Sequence, residues 1–516
     1  MSAGPRPTPR PQSLAQIAGI AGAATAGAVS SYPDRPVTGV AHDSRSVLPG
    51  DLYAALPGFR RHGAEFIAEA VGRGAVAVLT DANGQDSARA AGVPALVVTD
   101  PRAVLGAVAS FIYGDPSQEL LVIGITGTNG KTTTSYLVDA GLRAAGYLTG
   151  VIGTVGVRIG EEVVEAVRTT PEATQVHALL AVMVERGVTA VTMEVSSHAL
   201  RLGRVDGVHF DLVGFTNLTQ DHLDFHDGMD DYFEAKPTLF TLAHSSRAVV
   251  CVDDSWGRNL VALAERSGLE VATYAVSSED AHWTVDGIVE VPGGSVARAL
   301  GPGGVDVPLE VRMPGTFNVA NGLGALALLV DVGVDPLVAA DGIASCEGVP
   351  GRMERVLDPD PHRGLLALVD YAHTPDAIER VILAARGGTR GKVVVVLGAG
   401  GDRDQVKRPL MGEVAARGAD RVIVTDDNPR SEDAAAIRAA VLEGARRVEG
   451  ANVSEVGDRR AAIMQAVGGA DRGDVVLVLG KGHELGQEIE GFLTPFDDRV
   501  VLAQALGSSE LDEGLT

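Results

Sequence analysis

Short apolar runs recur along this chain, each breaking into a polar or glycine-rich turn, with stretches rich in alanine and arginine between them. In the first part, VAVLT (76–80) and ALVVT (95–99) read as buried parallel strands between helical segments. LLVIGIT (120–126) then leads into a glycine-rich turn, and GVTAVTMEVSS and FDLVGFTNLT are two further apolar runs that end in polar residues. In the last third, LLALVDYAHTPD, KVVVVLGAGGDRD, RVIVTDDNPR and DVVLVLGKGHE predict four strands, each opening into a charged loop. Open α/β sheets place their ligands at the carboxyl ends of their strands, so these loops are expected at one edge of one doubly wound sheet. The pattern predicts an α/β protein of three domains, 1–117, 118–350 and 351–516, with a P-loop in the second and a Rossmann-like third.

Length and composition agree with that division. A chain of 516 residues suits roughly three domains of about 100–200 residues each. Hydrophobic content of 45% with 64 glycines and only 4% aromatics suits α/β layers packed from Val, Leu, Ile and Ala. A formal charge of −24 argues against nucleic acid or an anionic membrane as partner, since both require a basic face. Cys251 and Cys346 are too few for a disulfide framework and lack metal-ligand spacing, so they read as free structural thiols in a reducing compartment. The Ala- and Gly-rich stretch 15–29 follows arginines, as a secretory leader would, but it is too weakly apolar and is expected to form a first helix and loop. No run of about 18 strongly apolar residues occurs, so no membrane span is expected.

Chemistry enters at GTNGKTTT (127–134), where a strand meets a turn ending in Lys131, Thr132 and Thr133. Glycines at 124, 127 and 130 let the backbone aim N–H groups at phosphate oxygens, and a following helix presents its positive end. Lys131 is placed to reach the β- and γ-phosphates and Thr132 to ligate Mg²⁺. The spacing departs from Walker A, because Ile125 stands where that motif needs glycine. Five lysines (131, 236, 392, 407 and 481) against 38 arginines sharpen the point: where lysine is kept, its compact or titratable amine is expected to matter. GAGG at 398–401 lacks the GxGxxG spacing of a nicotinamide site.

Glu194 ends one strand, and NLTQDHLDFH brings Asp221, His222, Asp224 and His226 to the end of another. A carboxylate and an imidazole at neighbouring strand ends can share a Mg²⁺ with a triphosphate. A hydrolytic zinc cluster is the alternative, without supporting H-E-x-x-H or Cys-rich spacing. Lys236 in DYFEAKPTLF, taken by its segment alone, reads as a surface lysine lying over apolar neighbours.

GTNGKTTT, RTTPE, EVSSHAL, NLTQDHLDFH, YFEAK, PGTFNVANGLGALAL, GVPGRME, DYAHTPDAIE, GGDRDQVKRPLMG, TDDNPRSED and GKGHE follow one another in an order that resembles the Mur ligase family, in its tripeptide-forming branch. DSRSVLPGDLYAALPG (43–58) extends the resemblance into the first domain. The resemblance implies an N-terminal UDP-MurNAc-binding domain, a central ATP-binding domain and a C-terminal amino-acid-binding domain. It implies a cytoplasmic, monomeric enzyme that uses ATP and Mg²⁺ to add a third amino acid to UDP-MurNAc-L-Ala-D-Glu through an acyl-phosphate.

By the same resemblance, Lys131, Glu194, His222 and a carbamylated Lys236 are the catalytic residues, with Thr132, Glu194, His222 and Lys236 around the metal. ATP is implied at Gly127, Thr128, Asn129, Gly130, Lys131, Thr132, Thr133, Asn318, Asn321, Arg352, Asp370 and His373. Ser44, Phe59, Arg60, Arg61, Thr169, Thr170, Ser197 and Arg204 match contacts of the UDP-sugar peptide. Arg168, where the family often has Asn, and Leu202, where it has a polar residue, depart from the pattern. Arg408, Asp427, Asn428, Pro429, Arg430, Gly480 and Glu484 match the amino-acid site, and DNPR implies diaminopimelate: Arg430 can take its distal carboxylate bidentately and would repel lysine's ammonium. A lysine-adding relative, a folylpolyglutamate synthase and a nucleotide-binding regulatory protein without catalysis are the rival readings. Arg430, the DSR block, and Glu194 with His222 and Lys236 speak against them in turn.

Overall fold

The computed structural model describes residues 5–23, 36–58, 61–164, 168–221, 225–291, 293–360, 362–387 and 389–507. Its first sheet has four parallel strands in chain order, Gly39–Ala41, Asp51–Ala54, Ala77–Thr80 and Ala95–Val97. The last two coincide with the expected runs, shortened at their ends. The helix Leu14–Ile20 buries Leu14, Ile17 and Ala18 against this unit.

The central sheet has eight strands, ordered Glu162–Val164, Gly156–Ile159, Thr149–Gly153, Ala190–Glu194, Leu121–Thr126, Leu212–Phe215, Arg247–Cys251 and Glu270–Tyr274. The first two pairings, which join the first three strands, are antiparallel; every later pairing is parallel. Register places the chemistry. Glu194 lies opposite Ile125, and Phe215 opposite Thr126, so three strands end level with the P-loop. The helix Lys131–Ala144 that follows packs against Thr316–Asp331 and Pro336–Ser345. A feature the apolar pattern misses is a three-stranded antiparallel sheet, Thr284–Val291, Gly294–Gly301 and Val305–Val311. Its first strand is largely exposed, so it carries no apolar run.

The third sheet is ordered Glu354–Val356, Leu366–Asp370, Val475–Leu479, Val393–Leu397, Arg421–Val424 and Val453–Glu455. The four expected strands are its central four, all parallel. Val393–Leu397 and Val475–Leu479 are buried throughout because helices cover both faces. Asp370 and Leu397 both pair with Leu479, and Val424 pairs with Leu397, so all four loops start at one level, as the sequence predicts. Beyond this sheet, Gly486–Ile489 and Phe492–Pro495 form a hairpin. Both cysteines are free and buried. Among the described residues no helix is long and apolar enough to cross a membrane.

Candidate active site

The strand-end loops of the second and third domains face each other across a cleft of about 1000 Å³. On the central side, Gly127 and Gly130 adopt φ of 144° and 87°, left-handed values open to glycine. A Cβ on Gly130 would also strike the amide of Asn321, which approaches from the helix Thr316–Asp331. Asn321 Nδ2 donates to Asn318 Oδ1 at 3.1 Å and Asn318 Nδ2 to the Pro314 carbonyl at 2.8 Å, so both asparagines are held beside the loop. Lys131 Nζ folds back onto the carbonyls of Gly127 at 3.0 Å and Thr128 at 2.8 Å. Burial pushes its ammonium down, against the pull of Glu194 and Asp221.

Thr132 Oγ1 donates to Glu194 Oε2 at 2.9 Å. The same carboxylate accepts Thr154 N at 2.8 Å and Thr154 Oγ1 at 3.0 Å, and Thr154 Oγ1 meets Thr169 Oγ1 at 3.0 Å. Thr154, which closes the strand Thr149–Gly153, was not marked by the sequence; its signal was an apolar strand ending in threonine. Asn217 was also missed. It brackets Asn129, accepting its N–H at 3.0 Å and donating to its carbonyl at 3.0 Å.

Lys236 reverses the expectation from its own segment. It is 0% exposed, lies over the Tyr232 ring at 4.4 Å, and donates to the Gly127 carbonyl at 3.3 Å. Two lysines thus converge on one carbonyl oxygen. Burial, then the charge on Lys131, holds the Lys236 amine well below the usual lysine range. His222, Phe59 and Arg60 lie outside the described residues. Among the described residues no group of three or more His, Cys, Asp and Glu side chains is arranged to hold a metal.

The third domain supplies the opposite wall. Arg352 stacks on Tyr371, 4.5 Å from its ring centroid, and its Nη2 donates to Thr132 Oγ1 at 3.3 Å. Asp370 accepts Met353 N at 2.6 Å and Ala372 N at 2.7 Å, and burial pushes its carboxyl up. His373 and His483 are each pushed down to about 4, by burial and then by the positive charge of Lys407 or Arg352 respectively. Asn129 Nδ2 reaches Asp376 Oδ2 at 3.1 Å, a second tie from the P-loop to this domain.

Farther along the wall, Asn428 Nδ2 donates to Glu484 Oε2 at 2.7 Å. Buried Lys481 donates to Asn428 Oδ1 at 3.0 Å and to Glu484 at 3.1 Å. Burial and the neighbouring Asp427 raise the Glu484 carboxyl, while Lys481 lowers it. Gly480 has φ 114°, and a Cβ there would strike the Asp427 carboxylate. Arg430, at φ 53°, donates to the Gly401 carbonyl at 2.7 Å and sits 3.6 Å from Glu488. Arg408 is turned away: it forks onto Glu432 at 2.8 and 2.9 Å and does not line the cleft, nor does Pro429.

On the side of the sugar-peptide site, Arg168, Thr169, Thr170 and Arg204 line the cleft. Thr170 Oγ1 donates to the Glu194 carbonyl at 2.8 Å, Arg204 Nη1 to the Thr170 carbonyl at 3.2 Å, and Arg168 pairs with Glu172 at 2.8 Å. Ser44, Arg61 and Ser197 are not among the lining residues. Ser44 donates to Glu69 at 2.9 Å, Arg61 pairs with Glu65 at 2.7 Å, and Ser197 Oγ meets His226 Nε2 at 3.1 Å.

A P-loop, a carboxylate on its threonine, and an arginine and acid on a facing Rossmann-like sheet together define a nucleotide-dependent ligase architecture. Residues 36–113 match the Mur ligase family catalytic domain, 125–329 the Mur ligase middle domain, and 351–482 the Mur ligase glutamate ligase domain. The chain belongs to the Mur ligase family. It is 54% identical to the UDP-N-acetylmuramoyl-L-alanyl-D-glutamate--2,6-diaminopimelate ligase of Streptomyces coelicolor, over 92% of this chain and 93% of that one. With the ligase of the same name from Streptomyces avermitilis it shares 52% identity, over 96% and 97% of the two chains. A solved structure of a ligase of that name superposes with a TM-score of 0.68 at 31% identity, covering 96% of this chain and 99% of the other.

Proposed function

We propose that this protein is an ATP-dependent amide ligase that adds 2,6-diaminopimelate to UDP-MurNAc-L-Ala-D-Glu in peptidoglycan synthesis. The observation that carries the reading is the 54% identity along nearly the whole chain to a ligase of that name. Geometry supports it, because P-loop, Glu194, Arg352, Arg430 and Glu484 all open onto one cleft. The proposed division of labour is 1–117 for the UDP-sugar, 118–350 for ATP and 351–516 for the amino acid, in a cytoplasmic monomer.

The D-Glu γ-carboxylate attacks the γ-phosphorus of ATP, releasing ADP and forming an acyl-phosphate. The amine of diaminopimelate then attacks the acyl carbon; the C–N bond forms, a proton is lost from nitrogen and phosphate leaves. Lys131 and the N–H groups of residues 127–133 hold the triphosphate in line, where position and electrostatics do most of the work. Asn318, Asn321, Asp370 and His373 border the nucleotide.

Mg²⁺ fits the donor set, which is hard oxygen converging within hydrogen-bond distance: the Thr132 hydroxyl and the Glu194 carboxylate. Thr132, Glu194, His222 and Lys236 as its carbamate would hold it, and the bound ion would neutralise charge on the phosphates. Arg430 and Glu484 read the distal carboxylate and ammonium of the amino acid, with Asp427, Asn428, Pro429 and Gly480 forming the surrounding loops and Arg408, on the helix Lys407–Gly418, assigned to the same pocket although it grips Glu432 here. Ser44, Phe59, Arg60, Arg61, Thr169, Thr170, Ser197 and Arg204 are assigned to the sugar-peptide.

Phosphate release measured with UDP-MurNAc-L-Ala-D-Glu and, separately, LL-diaminopimelate, meso-diaminopimelate and L-lysine tests the reading. Turnover is expected with a diaminopimelate isomer and not with lysine; turnover with lysine alone overturns it.

A further inference from the structure

Among the described residues Arg459 is the largest side chain that the fold buries almost completely. It opens the helix Arg459–Gly468, the end of a helix where a positive charge is disfavoured by the backbone dipole. Its partner Asp498 opens another helix, Asp498–Leu506, and is also 0% exposed. The guanidinium forks onto that carboxylate, Nε to Oδ1 at 2.7 Å and Nη2 to Oδ2 at 2.6 Å. Such a pair is weak evidence for stability, since two buried charges lose most of what their attraction gains. The donors left over show what the pair is for.

Nη1 donates to the Asp426 carbonyl at 3.3 Å and Nη2 to the Leu479 carbonyl at 3.0 Å. Asp426 is the residue before Asp427–Arg430, and Leu479 the residue before Gly480–Glu484. Leu479 ends the strand Val475–Leu479 and Asp426 lies two residues past the strand Arg421–Val424; these strands are not neighbours, since Val393–Leu397 lies between them, and they exchange no ladder hydrogen bonds. Arg459 therefore ties the bases of two loops whose strands do not pair, in addition to the direct bonds that Asn428 makes with Glu484 and Lys481 farther out. Its charge is also favoured by the two carboxylates of those loops, Asp427 and Glu484.

We propose that Arg459, clamped by Asp498, is a positioning residue for the amino-acid pocket: it sets the separation of the 427–430 and 480–484 loops and so the affinity for the incoming amino acid. This rests on the assignment of those loops to diaminopimelate. The guanidinium makes four hydrogen bonds here, two to the carboxylate and one to each carbonyl, and an ammonium has only three N–H groups, so lysine is not an equivalent replacement.

The test compares steady-state KM for diaminopimelate, ATP and UDP-MurNAc-L-Ala-D-Glu in wild type, Arg459→Lys, the double variant Arg459→Met with Asp498→Leu, and Arg430→Ala. The double variant removes both charges at once and leaves neither unpaired, so it keeps a folded protein available if Arg459→Lys fails to fold. Expected is a rise of at least tenfold in the diaminopimelate KM of the Arg459 variants, with the other two KM values within twofold of wild type. An unchanged diaminopimelate KM in the folded double variant overturns the proposal, as does a parallel rise in all three constants. If Arg430→Ala also leaves the diaminopimelate KM unchanged, the assignment of the pocket itself fails; if Arg430→Ala raises it and the Arg459 variants do not, only the positioning role fails.

Discussion

Lys236 shows how burial changes what a residue can do. An amine held well below the usual lysine range by burial and by Lys131 gives up its proton more readily than an exposed lysine, and the neutral form of an amine can add CO₂ with loss of a proton. A carbamate formed there would be an anion beside Lys131, replacing a like-charge contact with an opposite one. Lys236→Ala is therefore expected to lose at least a hundredfold in kcat, bicarbonate is not expected to restore it, and ¹³C-bicarbonate should give a carbamate resonance that the variant lacks; wild-type rates refute the role. His373 and His483 supply a second prediction at this scale. Both have folded-state values near 4, below the 6.5 of the unfolded chain, so between these values the unfolded state binds more protons. Their contribution to stability is complete above pH 6.5 and is lost as pH falls toward 4. A His373→Gln, His483→Gln double variant should show a flatter dependence of Tm on pH across that window; an unchanged slope would count against neutral burial.

At the scale of elements, the hairpin Gly486–Pro495 is the outer brace of Arg430. Arg430 N donates to the Glu488 carbonyl at 3.0 Å, and Glu490 N donates to the Arg430 carbonyl at 2.7 Å. The hairpin itself adds little core, with Phe492 and Leu493 75% and 72% exposed. Glu490→Pro removes the donor and cannot adopt the native φ of 51°, at a local cost of about 1–3 kcal/mol. The diaminopimelate KM should rise severalfold while the ATP KM holds, and a drop in Tm beyond about 10 °C would show the hairpin to be structural instead. The hairpin also marks the limit of what the sequence discloses. Strands buried on both faces, such as Val393–Leu397, announce themselves as apolar runs and put their C-terminal loops on the right edge. The 284–311 sheet and the 486–495 hairpin are half exposed and leave no such run. Lys236 and Arg408 were opaque for another reason: which partner a long cation meets depends on tertiary packing, and Glu432, which Arg408 grips, stands 24 residues away. Gly127, Gly130 and Lys131 were legible because a phosphate loop is local in sequence.

Across the whole molecule, the described residues of the third domain touch the P-loop through two polar ties, Arg352 to Thr132 and Asn129 to Asp376. Both cross the cleft where the acyl-phosphate would form, and both involve residues assigned above to the triphosphate. An acyl-phosphate is hydrolysed by water, so coupling depends on the domains staying closed until the amine has attacked. Asp376 is suited to testing this, because it bonds the P-loop only through the Asn129 side chain and is otherwise paired with Arg380 at 3.1 Å on its own helix. Asp376→Ala deletes the tie and leaves the lysine, the threonines and Glu194 in place. Phosphate release and tripeptide formation, measured together, should be equal in the wild type; in the variant phosphate should exceed tripeptide, with the excess growing as diaminopimelate is withheld. Equal yields at a lowered rate would mean that the contact serves nucleotide affinity rather than closure, and equal yields at the wild-type rate that the remaining tie through Arg352 suffices to keep water out.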